Sequence, residues 1–346
     1  MANSVAERSL SHNSSSSLRK RLLVDEWVVI APDRAARPRQ LELSPSSSDD
    51  FCPFCPDNAQ VTPPTIETWD SPVFPDAPWG VRAVANKFPA LRVEPELSTE
   101  PDGLYESISG VGAHEVLIEA PEHHTRWRAL PAEHLAIVLG AWQDRMADLR
   151  RDKRLRSVLA FKNHGARAGA TLGHIHSQLI GLPLVPTRLR RELDGARDYF
   201  QNTGLCAICE MIARERSTGD RLILENEAAV AIAPFGSRTA FETWILPRSH
   251  RGDYLSSPRS ELLSIAEITT TVLDLWRRAL GEVAYNLILH CLPFDLLGEP
   301  YYHWHLEMLP RTGQVAGFEW GSNMYINATP SEVAARHLRK LADHSA

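Results

Sequence analysis

The sequence is short of several features that would assign a role at once. No apolar run approaches the roughly 20 residues needed to cross a bilayer, so no membrane association is expected. Neither sign of charge dominates: 37 Lys and Arg are interspersed with 43 Asp and Glu, for a net charge of −6. That balance excludes a broad electrostatic footprint for nucleic acid, although it leaves local basic pockets open. The N-terminus has no apolar core of signal type, which makes a cytoplasmic location the expectation. Residues 1–17, with "SHNSSSS", are polar and are expected to form a disordered tail.

Cysteine is scarce too, with five residues, yet four of them fall in two pairs of equal spacing. These are "CPFC" (Cys52, Cys55) and "CAIC" (Cys206, Cys209). In a cytosolic chain such pairs read as metal ligands or redox sites before structural disulfides. Cys291, within the apolar "LILHCLPF", reads as a core residue.

What is present is a pattern written twice. After "CPFC" come "EAPEHH" and then "GHIHSQ"; after "CAIC" come "ILPRSH" and then "YYHWHLEMLPR". His123 and His174 are 51 positions apart, and His250 and His303 are 53 apart, which favours His123 over His114 or His124 as the middle histidine. Helix-periodic segments match between the halves, "AEHLAIVLGAWQDRMADLRRD" and "SELLSIAEITTTVLDLWRRAL". Apolar strands flank each one: "HEVLIEAP" and "SVLAFKNH" in the first half, "FETWILP" and "YNLILHCLPF" in the second. Each half is therefore predicted to be an α+β unit, an antiparallel sheet packed with a long helix, and the chain to be an internal duplication.

Two thiolates and two imidazoles suit tetrahedral zinc. The predicted sets are Cys52, Cys55, His123 and His174 for one site, and Cys206, Cys209, His250 and His303 for the other. Four protein ligands and no open position imply structural metal. The competing reading of Cys52 and Cys55 is a redox pair or buried thiols, and that of His250 is a turn histidine.

In "TLGHIHSQLIG" a strand places His176 on the same side as His174, about two residue rises along. A ligand at His174 would leave His176 free beside a pocket. A neutral imidazole can attack phosphorus and divide one hard transfer into two easier ones. The approach "NHGARAGATLGH", which includes Gly169, offers backbone to an anion. Gln178, on the same face, can donate to a phosphoryl oxygen without offering a proton. The plainer reading of His176 is a histidine that lines a pocket. Arg34 and Arg37, just after the strand in "RLLVDEWVVIAPDRAARPRQ", could clamp a diphosphate or form a solvated basic turn.

Taken in order, "EWVVIAPDRAARP", "CPFC", "VANKFPAL", "APEH", "FKNHGARAGATLGHIHSQ" and "HWHLEMLPR" resemble the galactose-1-phosphate uridylyltransferases, a branch of the histidine-triad superfamily. The resemblance runs from about residue 18 to 340. It implies two histidine-triad-like halves, a catalytic one over 18–195 and a second over 196–346, in a cytoplasmic homodimer. It implies His176 as the nucleotidylated residue and Gln178 as its phosphoryl contact, with Arg34 and Arg37 on the diphosphate. Asn86, Asn163 and Thr171 match nucleotide-pocket positions. The implied reaction is ping-pong transfer of a nucleoside monophosphate between a nucleotide sugar and a sugar 1-phosphate.

Three readings compete. Uridylyl transfer from UDP-glucose to a hexose 1-phosphate of galactose type comes first. Adenylyl transfer from an ADP-sugar to phosphate comes second, because "GFEWGSNMYINATPSEVAA" has Ser322 and Asn323 where galactose-specific relatives carry a tyrosine–glutamate pair, and Lys87 follows Asn86. The tail and the second cysteine pair resemble a plant-like subgroup that includes ADP-glucose phosphorylase. A zinc-stabilised nucleotide-binding module without catalysis is third. His305 takes the nucleophile's place in the second half, but with Glu307 instead of glutamine it reads as a vestige.

Overall fold

The computed structural model describes residues 17–24, 26–30, 51–102 and 104–344. Residues 1–16 of the tail expected over 1–17 lie outside them, as do Arg34 and Arg37, while Ser17, also assigned to that tail, instead opens the first strand, where it pairs with Ile30. The strands are β1 (Ser17–Lys20), β2 (Trp27–Ile30), β3 (Thr65–Trp69), β4 (Val81–Ala85), β5 (Thr99–Asp102), β6 (Tyr105–Ile108), β7 (Ala113–Ile118), β8 (Ser157–His164) and β9 (His176–Leu182). They continue with β10 (Leu222–Glu225), β11 (Ala229–Ile232), β12 (Thr243–Pro247), β13 (Tyr285–His290), β14 (His305–Pro310) and β15 (Tyr325–Asn327). The helices are α1 (Ala132–Leu149), α2 (Thr187–Thr203), α3 (Ala207–Thr218), α4 (Arg259–Leu280), α5 (Gly317–Ser322) and α6 (Ser331–Asp343).

Local chemistry sets the helix ends. Pro131, Pro186, Pro258 and Pro330 precede α1, α2, α4 and α6, where a fixed φ and a missing N–H cost nothing. Gly204 and Gly219 end α2 and α3 at φ of 73° and 69°, in the left-handed region that side chains resist.

The central sheet has ten strands in the order β10-β11-β12-β14-β13-β8-β9-β7-β4-β3. Read outward from the central β13·β8 pair, both directions pass a strand that follows a long helix, then the His-x-His strand, then the strand that precedes that helix. The two arms meet in one antiparallel ladder, where Asn286 pairs with Asn163 and Leu287 with Lys162. β1, β2 and β15 form a smaller sheet, and β5 and β6 a hairpin.

One face of the sheet carries α1 and α4, packed on each other over a continuous core that includes Trp142, Trp276, Leu179, Leu306 and Met308. The opposite face is treated differently in the two arms. Over the second arm α2 and α3 close it, burying Val230, Ile232, Trp244 and Leu246. Over the first arm, among the described residues, it carries the small cluster of Trp79, Val84, Val116 and Ile118 with Phe54. No helix among the described residues is long and apolar enough to cross a membrane.

Candidate active site and metal clusters

Strand β9 lies between β7 and β8, and its alternation decides what faces away from α1. Ser177 and Leu179 turn into the α1 side, so His176 and Gln178 take the other. Their ladder partners are Ile118 and Val116. His176 is 7% exposed, and Phe54, from the middle of "CPFC", meets it edge-on with ring centroids 5.3 Å apart.

The ring of His176 is fixed by its own strand: Nδ1–H donates to the His174 carbonyl over 2.8 Å. The lone pair is thereby left on Nε2, which makes no hydrogen bond with the described residues. Burial pushes the imidazole down to about 4, with the Lys162 ammonium adding to the effect, so the ring is neutral at physiological pH.

Behind the strand, Lys162 and Glu119 form an ion pair that is almost wholly buried, and Lys162 Nζ also donates to the His176 carbonyl at 3.0 Å. The Trp127 ring lies 4.8 Å from Nζ, and its indole N–H donates to the same Glu119 oxygen at 2.6 Å. The backbone of β9 thus rests on a charged group that the core has enclosed.

Asn163, Gly169 and Thr171 belong to the end of β8 and the loop that leads from it to β9. Gly165 and Gly169, at φ of 80° and 90°, turn the chain between β8 and β9. The loop does not offer all its amides, as the glycine content alone suggests. Ala168, Gly169 and Ala170 donate inward to the carbonyls of Gly165 and Ala166, whereas the N–H groups of Thr171, Leu172 and Gly173 have no backbone acceptor among the described residues. Asn163 Oδ1 accepts from Asn286 Nδ2 at 2.7 Å across the central seam, which leaves its own amide group as a donor. Asn86 follows β4, and its Oδ1 accepts from Phe88 N–H at 2.9 Å.

Sequence reasoning passed over one member. His114, on β7, reaches Gln178 Oε1 with Nε2 at 2.8 Å. The only signal for it was alternation, which puts His114 on the face of Val116 and Ile118.

Each predicted ligand set is drawn into a cluster, with all its donor atoms within 4.8 Å of one another. In the first, Cys52 Sγ lies 3.5 Å and Cys55 Sγ 3.7 Å from His174 Nδ1, and Cys55 Sγ 3.6 Å from His123 Nδ1. In the second, Cys209 Sγ lies 3.3 Å from His250 Nδ1 and 3.5 Å from His303 Nδ1. A tetrahedral ion with sulfur at about 2.3 Å and nitrogen at about 2.0 Å separates such donors by about 3.5 Å, so the donor sets fit a metal ion. His174 Nε2–H donates to the Ala120 carbonyl at 2.8 Å, which aims Nδ1 into the cluster.

A third group, Glu192, His290 and His305, also has its donor atoms close together beneath α2. There Arg21, Arg188 and Arg238 converge on Glu307, which His290 also contacts. That concentration of positive charge disfavours a cation.

Comparison with known proteins agrees with this geometry. The family described as galactose-1-phosphate uridyl transferase, N-terminal domain, matches residues 7–186, and a domain of unknown function matches residues 128–346. An ADP-glucose phosphorylase of Arabidopsis thaliana is 32% identical over 95% of this chain and 94% of its own. A galactose-1-phosphate uridylyltransferase of Thermotoga maritima is 26% identical over 93% of this chain and 98% of its own. The crystal structure of an Arabidopsis thaliana ADP-glucose phosphorylase with bound ADP-glucose superposes with a TM-score of 0.81 at 29% identity, covering 94% of this chain and 99% of that one. The chain is a nucleotidyltransferase of the galactose-1-phosphate uridylyltransferase family.

Proposed function

We propose that the protein moves a nucleoside monophosphate from a nucleotide sugar to a phosphate-bearing acceptor through a covalent intermediate on His176. The observation that carries this is the His176 ring itself. Its Nδ1–H is held by the His174 carbonyl, so the lone pair is left on Nε2, on the face of the sheet that β9 shares with Gln178 and away from α1. In the first step Nε2 attacks the α-phosphorus, a P–N bond forms, and the sugar 1-phosphate leaves with the electrons of the broken P–O bond. In the second, an oxygen of the acceptor phosphate attacks the same phosphorus and returns the pair to Nε2. Gln178 donates to a phosphoryl oxygen as charge shifts, without supplying a proton for hydrolysis. Arg34 and Arg37 are assigned to the diphosphate, and Asn86, Asn163, Gly169 and Thr171 to the nucleotide pocket.

The preferred donor is an ADP-sugar, with phosphate as acceptor. This is supported by the 32% identical relative named ADP-glucose phosphorylase and by the likeness to a structure with bound ADP-glucose. Uridylyl transfer between UDP-glucose and a hexose 1-phosphate is the second reading, supported by the family match over residues 7–186 and by the Thermotoga maritima relative.

Zinc is assigned to both clusters, where it would tie the cysteine loops to the His-x-His strands. A homodimer is also proposed, with Phe318 and Trp320 of α5, 47% and 80% exposed, in its interface.

Intact-protein mass spectrometry after brief exposure to ADP-glucose or to UDP-glucose tests the function. A gain of AMP from ADP-glucose, mapped to His176, is expected. A gain of UMP alone selects the second reading, and no gain from either sugar overturns the covalent mechanism in favour of a binding module.

A further inference from the structure

The register of β7 and β9 puts Val116 opposite Gln178 and His114 opposite Ile180, so His114 and Gln178 are diagonal neighbours on the reactive face. The His114 ring is engaged at both nitrogens. Ala90 N–H donates to Nδ1 over 3.1 Å, which places the single proton of the neutral ring on Nε2. That N–H donates to Gln178 Oε1 at 2.8 Å. A free glutamine amide has two nearly isosteric orientations, and one of them would point a carbonyl oxygen at a phosphate. With Oε1 held by His114, only the NH₂ group is left to face the open side.

The same ring bears on Asn86. Its Nδ2 lies 3.1 Å from His114 Nε2, and with the proton on Nε2 that approach is donor to donor. Asn86 Oδ1 is already taken by Phe88 N–H, and Asn86 N–H donates to the His114 carbonyl at 2.7 Å. The Asn86 NH₂ group must therefore find its acceptor elsewhere.

We propose that His114 is a positioning residue that sets the polarity of the Gln178 amide by a direct hydrogen bond, so that Gln178, beside the Asn86 amide that Phe88 N–H orients, presents a donor to the phosphates of the bound nucleotide. The proposal rests on the reading of His176 and Gln178 given above. It assigns a job to a side chain that touches neither the phosphorus nor the clusters.

The test follows covalent labelling of His176 in a single turnover with ADP-glucose and with UDP-glucose. His114→Leu is expected to slow labelling about tenfold or more, with a much smaller change in the concentration of sugar nucleotide at half saturation. His114→Gln, whose amide nitrogen reaches the Nε2 position, restores most of the rate. His114→Glu can only accept, pulls the Gln178 amide round, and is slower than His114→Leu. In a Gln178→Ala background the changes at His114 cost little further.

Labelling of His114→Leu at the wild-type rate, or a loss undiminished in Gln178→Ala, overturns the proposal. If the wild type takes up no nucleotide from either sugar, the proposed function fails instead. Long-range proton–nitrogen NMR then still decides the inference, since a His114 proton on Nδ1 overturns it and one on Nε2 supports it.

Discussion

His176 and His305 hold the same place in the two arms of the sheet, but His176 keeps 7% of its surface exposed and His305 none. His305 lies flat between His290 and Trp244, with ring centroids 4.8 Å from each, and its Nε2 is buried without a partner. Among the described residues, the aromatic ring against His176 is that of Phe54, which meets it edge-on. The rings enclosing His305 stand on β12 and β13, the strands that flank β14, and α2 and α3 cover that arm. His176→Ala should therefore abolish nucleotide exchange between sugar phosphate and nucleotide sugar. His305→Ala should keep the activity per folded molecule within about twofold while lowering stability by about 1–3 kcal/mol, read from denaturant unfolding.

Lys162 and Glu119 test the support beneath the nucleophile. Removing one partner strands a buried charge, so Lys162→Met is expected to cost about 3–5 kcal/mol of stability. Replacing both, as Lys162→Met with Glu119→Leu, should recover much of that loss. Labelling of His176 should remain slow in the double variant, because the His176 carbonyl has still lost its donor.

His290 gives the pH dependence. Burial would push its imidazole down, but the carboxylates of Glu192 and Glu307 outweigh that and raise it to about 9. The folded value lies above the unfolded one near 6.5, so the stabilisation is complete below 6.5 and is lost as pH rises through 9. Glu192 is held down to about 2, against the opposing effect of burial, chiefly by His290 and Arg188; its share is present above about 4.5 and lost as pH falls through 2. The stabilisation due to His290 should be greatest between about pH 4.5 and 6.5, read as the difference in melting temperature between the wild type and His290→Asn, and should shrink on the alkaline side. In His290→Asn the alkaline slope should flatten, with the largest deficit below pH 6.5.

The two metal clusters should separate by consequence. Elemental analysis of the purified protein should find two equivalents of zinc per chain, one of them lost in Cys52→Ser and one in Cys206→Ser. Only Cys52→Ser should also slow His176 labelling, by about tenfold or more, since Phe54 and His174 join that cluster to the reactive ring. Both variants should melt earlier.

Much of this was legible because it was periodic or repeated. The apolar runs of "HEVLIEAP" and "FETWILP", each followed by a helix-periodic segment, foretold the antiparallel α+β build. Duplicated spacing picked out both Cys/His sets, which converge as expected although their members are far apart in sequence. Other features depend on long-range register, which no local pattern encodes. The β8·β13 ladder that makes one sheet of two arms is of this kind, as is the arginine cluster that fills the second arm's pocket around Glu307. His114 escaped for a related reason: in an alternating strand its face is predictable, but its neighbour is known only once β7 and β9 are aligned.

The ladder between β8 and β13 also bears on whether the halves can live apart. A polypeptide stopped after β9 would carry β8 as a naked edge, with unpaired amides along Phe161 to His164 and no Asn286 to steady Asn163. Such a fragment could satisfy that edge only by recruiting another strand, most simply the same edge of a sister molecule. Solitude is not open to the reactive arm; it either keeps its neighbour or replaces it.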